Sequence, residues 1–266
     1  MNNSYRVALI QLNADNQIKA NIKNALDLCS KAIERKADVI CLPEVFAFRK
    51  QNSLDKIPFE SIPGPSTLPF MQLAKKQNCF VICGSIYEKA SNFKGFNTTV
   101  VINPKGEISA IYRKMHLFSL HTDNKNIQES KDFLPGDKPV MTKIKNKSWG
   151  LSICYDIRFP ELYRTYINAA ILNIPASFTK PTGIAHWHTL CKARAIENMA
   201  FVCAANQVGK GTGGIETYGH SIIVDPWGNL LAEADGFNPD VITADLDFEA
   251  QEKYRNQLPA LKHRVL

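Results

Sequence analysis

Short apolar runs alternate along this chain with segments whose apolar side chains recur every third or fourth residue. That alternation predicts strands interleaved with helices. RVALIQL, residues 6–12, reads as a first strand. Asp15 stands where a helix cap would, and Ile18, Ile22, Leu26, Cys29 and Ile33 then step along one helical face. A second strand from Asp38 to Leu42 ends in Pro43-Glu44. Three prolines and a glycine over 58–65 predict irregular backbone, followed by a helix capped by Ser66 and running to about Gln77. CFVICGSI, 79–86, has the unbroken apolar character of a buried strand. Residues 97–103 and 107–112 flank Asn103-Pro104-Lys105-Gly106, a hairpin with a permissive glycine in its turn.

Residues 119–139 are polar and read as loop. A strand ending at Cys154, a helix from about Pro160, a strand over 171–176 and a helix over 184–200 follow. Ile184, Trp187, Leu190 or Cys191, and Arg194 mark one flank of that helix. Three late strands, FVCAANQ, GHSIIVD and DVITADL, a turn at Asp225-Pro226-Trp227-Gly228 and a short helix over 247–257 complete the pattern. Early alternation with later hairpins points to a two-layer or sandwich α/β protein with mixed sheets. The dinucleotide fingerprint is missing from the first strand–helix junction, and GKGTGG, 209–214, lacks phosphate-loop spacing and reads as a loop. No linker-like composition and no fixed-period repeat interrupt the chain, so residues 1–266 read as one domain.

Composition narrows the function classes. The 266 residues carry 32 Lys and Arg against 25 Asp and Glu, a formal charge of +7. The lysines are scattered, with Lys143, Lys145 and Lys147 alternating along one loop or strand edge. A basic solvated surface is the reading; a nucleic-acid binder would concentrate the excess. Attraction of small anionic substrates is compatible with it. Seven cysteines with no CxxC pair, several in apolar runs (Cys41, Cys79, Cys83, Cys203), read as buried hydrophobes rather than disulfides or a zinc knuckle. No apolar run reaches membrane-spanning length, and the N-terminus lacks the pattern of a targeting segment, so no membrane role and a cytoplasmic location are expected.

Three reactive side chains follow strand-like runs: Glu44 after VICLP, Lys114 after ISAIYR, and Cys154 after WGLSI. A thiol attacks an amide carbonyl only when its proton is taken or its pKa is lowered. A glutamate could take that proton, and an ammonium would favour thiolate and oxyanion alike. Taken singly, the three also fit a structural thiol, a surface carboxylate and a solvated lysine. His186 and His188 lie two apart and so face different ways on a helix, which excludes an i,i+4 metal pair.

LPEVF around Glu44, YRKMHLF around Lys114 and GLSICYDIRFPEL around Cys154 resemble, in order and spacing, the nitrilase or carbon–nitrogen hydrolase superfamily over essentially the full length. The resemblance implies an α/β fold: a four-layer-type α-β-β-α sandwich with two mixed sheets, pairing into a larger αββα-αββα dimer or higher homo-oligomer. It implies Glu44 as general base, Lys114 as oxyanion stabiliser, Cys154 as nucleophile, and Glu129, in IQESKDFLPGD, as a second active-site glutamate. A cysteine thioester mechanism needs no metal or cofactor. TG-x-AHW and ARAIEN, within 179–198, resemble the small Nit branch, which acts on short carboxylate-bearing amides. YGHSIIVDPWG and LPALKHR resemble deaminated glutathione amidases, while IQESKDFLPGD looks equally like ω-amidases acting on α-ketoglutaramate. An N-carbamoyl amine hydrolase and a catalytically idle interaction protein on the same scaffold are the alternatives. Tyr155, Thr179 and Thr182 are candidate pocket residues. Arg158 is read as a salt-bridge partner of Glu161 or of a dimer neighbour, with a substrate carboxylate as its other role. Trp187 is read as packing. The 163–175 connection is about two residues shorter than the resemblance leads one to expect, to be absorbed by an early helix end or felt as a looser site. The tail stops at Leu266, short of residues many relatives carry, which bears on the dimer contacts.

Overall fold

A computed structural model describes residues 4–52, 54–91, 93–122, 125–211 and 214–265. Two residues of the glycine-rich 209–214 loop, Thr212 and Gly213, lie outside them. Strands β1 (Ser4–Gln11), β2 (Val39–Cys41), β3 (Phe80–Lys89), β4 (Gly95–Ile102) and β5 (Ile108–Arg113) join β16 (Asp240–Asp247) in one six-stranded sheet of order β16-β1-β2-β3-β4-β5. Strands β8 (Val140–Ile144), β9 (Lys147–Leu151), β10 (Ile171–Asn173), β11 (Phe201–Ala204), β14 (Ile222–Val224) and β15 (Leu230–Glu233) form the second, of order β15-β14-β11-β10-β9-β8. Read from β16 in the first and from β8 in the second, the pairings follow one sequence: antiparallel, parallel, parallel, antiparallel, antiparallel. The two halves thus share a sheet plan that leaves no repeat in the residues.

The period-2 alternation of β1 builds the layers. Val7 and Leu9 join a cluster with Trp149, Leu151 and Ile171 of the other sheet, while Ala8 and Ile10 face Ala25, Cys29 and Phe70 of the helices outside. Those helices are α1 (Ile18–Glu34) and α2 (Leu68–Gln77). On the far side, α4 (Lys180–Asn198) buries Trp187, Cys191 and Ala195 in the core that includes β11 and β14. The result is the α-β-β-α sandwich with mixed sheets. The other helices are α3 (Pro160–Thr165) and α5 (Phe248–Gln257), the latter capped by Asp247 through the Glu249 and Ala250 N–H groups. All seven cysteines are buried free thiols.

Several local expectations are corrected. Asp15 does not cap α1; its carboxylate accepts the Gln17 N–H at 2.7 Å, ahead of the helix. The buried face of α1 centres on Asn21, Ala25, Leu28 and Ala32 around Cys29, leaving Ile18 and Ile22 half-buried. Ser66 is displaced as cap residue by Thr67, whose hydroxyl is engaged with Gly64. The polar stretch 119–139 contains a hairpin of β6 (Ser119–Thr122) and β7 (Lys125–Gln128) and a 3-10 turn at Glu129–Lys131. Helix α4 starts four residues early, with Pro181 in its first turn, and Ile184 points outward at 67% exposure. The strand before Cys154 stops at Leu151. The remaining two strands, β12 (Val208–Lys210) and β13 (Glu216–Tyr218), form a small hairpin.

Within the 163–175 connection, α3 ends at Thr165. Asn168 takes a left-handed turn, φ +61°, and Ala169 and Ala170 offer their carbonyls to Arg255 and Gln251 of α5. Strand β10 then docks in register on both sides, Ile171 opposite Trp149 and Phe201.

Candidate active site

Glu44, Lys114, Glu129 and Cys154 come from four separate loops and line one cavity of about 170 Å³. Glu44 lies three residues beyond β2 and Cys154 three residues beyond β9, both past the carboxyl ends of strands in parallel pairs, where open α/β sheets place their sites. Lys114 follows β5 directly. Cys154 opens a 3-10 turn, Cys154–Arg158, with its backbone in the left-handed region at φ +48°. Such a conformation costs a non-glycine residue about 1–3 kcal/mol and persists only when its surroundings impose it. Here the Cys154 N–H donates to the Pro175 carbonyl at 2.8 Å, and the fully buried Asp156 accepts the Ile153 N–H at 2.8 Å. Val45, beside Glu44, is likewise left-handed at φ +52°, its N–H held by the Ser85 hydroxyl.

The Glu44 carboxylate is 3% exposed and fully engaged. Oε1 accepts from Asn97 Nδ2 at 2.9 Å and Lys114 Nζ at 3.0 Å; Oε2 accepts the Ser177 N–H at 2.8 Å. Lys114 Nζ also donates to Glu129, at 3.0 Å to Oε1 and 2.9 Å to Oε2, and Glu129 Oε2 accepts the Phe118 N–H at 2.8 Å. Lys114 therefore sits between two carboxylates. Burial opposes its charge, but Glu129 and Glu44 outweigh that and hold the ammonium well above its usual range. Burial pushes the Glu129 carboxyl up against the pull of Lys114, with the Glu44 charge adding to the rise. Burial likewise pushes the Cys154 thiol up, reinforced by the Glu44 charge and opposed by Lys114 and the Ser177 N–H. The resting thiol is neutral beside a carboxylate able to take its proton.

Tyr155, Arg158, Thr179 and Thr182 all line the cavity. The Tyr155 ring packs edge-on against Phe118 and Phe159. Thr179 and Thr182 share a hydroxyl contact of 2.7 Å at the start of α4. Arg158 does not pair with Glu161. Its guanidinium lies over the Phe178 and Tyr155 rings, 5.4 and 5.8 Å from their centroids, with His186 Nδ1 at 3.3 Å from Nη2. Among the described residues Arg158 forms no ion pair. Trp187 is fully buried, against Phe178, as expected of a packing residue.

The residues alone did not single out Asn97, Ser177, Asp156 or Arg49. Asn97 also accepts the Lys114 N–H through its backbone carbonyl, so one residue aligns both partners of the ion pair. Arg49 is buried and pinned by the Ala14, Val208 and Lys210 carbonyls and by Thr217 and Asn13, with burial lowering it to about 10. The cavity wall thus carries Arg49, Lys50, Lys114 and Arg158 against Glu44 and Glu129, four cations to two carboxylates.

Such a wall, around a buried thiol, carboxylate and ammonium on a doubly layered α/β scaffold, defines a hydrolase of amide carbon–nitrogen bonds. Residues 6–256 match the model of the carbon-nitrogen hydrolase family, and the chain belongs to that family. It is 36% identical over 278 residues to a deaminated glutathione amidase of Dictyostelium discoideum, covering 100% of this chain and 96% of that protein. It is 34% identical to the omega-amidase NIT2 of Mus musculus, covering 98% and 95%. The crystal structure of Saccharomyces cerevisiae Nit3, a member of the nitrilase superfamily, superposes with a TM-score of 0.84 at 29% identity, covering 99% of this chain and 97% of that one. No helix among the described residues is long and apolar enough to cross a membrane.

Proposed function

We propose that this chain cleaves a small carboxylate-bearing amide through a thioester on Cys154, and that the amide is deaminated glutathione. The observation that carries the reading is the contact of Lys114 with both Glu44 and Glu129 beside the Cys154 thiol, in a cavity whose outer wall is cationic.

In the first half-reaction, Cys154 Sγ attacks the amide carbonyl carbon while its proton passes to Glu44. Lys114 Nζ and the Tyr155 N–H, in the first turn after the nucleophile, stabilise the oxyanion. Glu44 gives the proton to the nitrogen, the C–N bond breaks, and the amine leaves as cysteinylglycine. In the second, Glu44 takes a proton from water, hydroxide attacks the thioester, and the thiol leaves with its proton restored, releasing α-ketoglutarate. Glu129 holds Lys114 and orients the substrate. Arg158 receives the substrate carboxylate: its guanidinium has aromatic faces and a histidine for neighbours and so keeps its charge available. Thr179 and Thr182 supply hydroxyls at the same wall.

A second reading, an ω-amidase acting on α-ketoglutaramate with ammonia as leaving group, is favoured by the 34% identity to the mouse omega-amidase. Steady-state turnover of the two substrates separates them. A higher kcat/KM for deaminated glutathione supports the first, and the reverse order overturns it in favour of the second. We further propose a cytoplasmic homodimer of the αββα-αββα kind. Outward-facing Ile184 and Ile196 on α4 support the dimer, and light scattering on the eluted protein tests it.

A further inference from the structure

Outside the cavity, ligand-type side chains from three elements converge. His188 lies on α4, His220 lies two residues before β14, and Glu233 ends β15. Glu233 Oε1 lies 2.8 Å from His188 Nε2 and 2.7 Å from His220 Nδ1, and all three donor atoms lie within 4.8 Å of one another. None of the three lines the catalytic cavity.

The arrangement is held from several sides. The Trp187 indole N–H donates to the His220 carbonyl at 2.8 Å, tying α4 to the His220 backbone next to its own His188. The Tyr218 ring lies 4.3 Å from the His220 ring. Gly236 approaches so closely that a Cβ there would stand 2.7 Å from His220 Nε2. His220 itself adopts a left-handed backbone, φ +50°, which few L residues take without support. The imidazole is thus aimed at Glu233 by constraint.

We propose that His188, His220 and Glu233 bind a divalent transition-metal ion of the zinc class. Two imidazole nitrogens and one carboxylate oxygen form a borderline-soft donor set suited to zinc, with a fourth position left for water. Metal–ligand bonds of about 2.0–2.2 Å at tetrahedral angles set donors about 3.3 Å apart. Opening the two Glu233 contacts by about half an ångström, with the two imidazole nitrogens brought to the same spacing from within 4.8 Å, admits the ion, and side chains about 30% exposed can make that adjustment. The ring protons now facing Glu233 shift to His188 Nδ1 and His220 Nε2 by exchange with water, so no net proton change is required of neutral imidazoles. The bound ion would clamp α4 to the β13–β14 connection and β15. Because α4 begins beside Thr179 and Thr182, and Thr217 lies on β13, it would stiffen one wall of the cavity from outside.

The test uses chelator-stripped full-length protein carrying Cys154→Ala, which removes the cavity thiol as a competing ligand. Cobalt(II) is titrated by absorbance and zinc(II) by calorimetry, with thermal melting alongside. The expected result is one equivalent bound, cobalt d–d bands of a four- or five-coordinate site, and a higher melting temperature with metal. His188→Gln, Glu233→Gln and His220→Asn, the last chosen because asparagine tolerates the left-handed backbone, should each weaken binding at least tenfold. His186→Gln should leave it unchanged. Circular dichroism identifies any variant that fails to fold. Absence of stoichiometric binding, or binding that survives loss of both imidazoles in folded protein, overturns the proposal.

Discussion

His116 and Asp156 meet twice: Asp156 Oδ1 accepts the His116 backbone N–H at 3.0 Å and lies 2.7 Å from the same residue's Nδ1. With Oδ2 taking the Tyr112 hydroxyl at 2.7 Å and the Ile153 N–H at 2.8 Å, one buried carboxylate joins the segment carrying Lys114 to the turn carrying Cys154. The ammonium and the thiol follow strands of different sheets, and Asp156 fixes one segment relative to the other. Replacement by asparagine turns an amide toward donors that now face an acceptor. Asp156→Asn should therefore cost about 1–3 kcal/mol of stability, read from the denaturant midpoint. It should also lower kcat more than it raises KM, since it displaces the reacting groups rather than the substrate wall.

Lys114 contacts both carboxylates of the cavity, Glu44 and Glu129. Lys114→Ala leaves Glu44 and Glu129 facing each other without it. We expect a loss of about 3–5 kcal/mol, the range for a broken buried ion pair, and a fall in kcat of several orders of magnitude. Glu44→Gln should abolish turnover comparably with a smaller stability cost, because the amide keeps an acceptor for Lys114. Thermal melting and single-turnover kinetics on the two variants check the contrast.

Arg158 should act on binding. Arg158→Leu is expected to raise KM for deaminated glutathione by tenfold or more with kcat changed little. The effect should shrink for an analogue whose recognised carboxylate is an amide. An equal loss on both substrates would assign Arg158 to packing.

The buried Cys154 thiol is raised above its ordinary value near 9. Its folded form therefore resists ionisation. The stability this contributes is fully present below about pH 9 and declines as pH rises above the unfolded value toward the higher folded one. The stability of wild type relative to Cys154→Ala should fall between pH 9 and 11 in urea unfolding. Above about pH 10 the alkylation rate of Cys154 by iodoacetamide should still be climbing, where that of a free thiol levels off.

What the residues revealed was what local pattern controls. Ten of the twelve strands of the two sheets, the Asn103–Gly106 and Asp225–Gly228 turns and α5 follow from apolar runs and turn chemistry; β8 and β15, short strands at the edges of the second sheet, were not singled out. The β6–β7 hairpin escaped because each strand is only four residues long with one apolar residue, Leu120 opposite Ile127, too little to mark an alternation. Ser66 and Asp15 misled because the cap position depends on where the preceding loop enters the helix, which here is set by Gly64 and Ala47 contacts. Ile184 misled because the start of α4 turns Gly183 inward against the Tyr218 ring and leaves Ile184 outside. In the site, Glu44, Lys114 and Cys154 stood out as reactive types in three quoted motifs, and Glu129 through the resemblance of a fourth, IQESKDFLPGD. Asn97 and Ser177 did not, because their work is done by an amide and a backbone N–H across 53 and 133 residues of chain. The His188–His220–Glu233 cluster was invisible for the same reason: no two of its members share an element.

The central claim is a covalent acyl intermediate on Cys154, and intact-protein mass spectrometry tests it most directly. Protein quenched in acid during turnover of deaminated glutathione should carry one acyl group that peptide mapping assigns to Cys154, with cysteinylglycine released in step. The same adduct without released dipeptide should form from α-ketoglutaramate. Turnover undiminished in Cys154→Ala protein, or an acyl group mapped to any other residue, would contradict the mechanism.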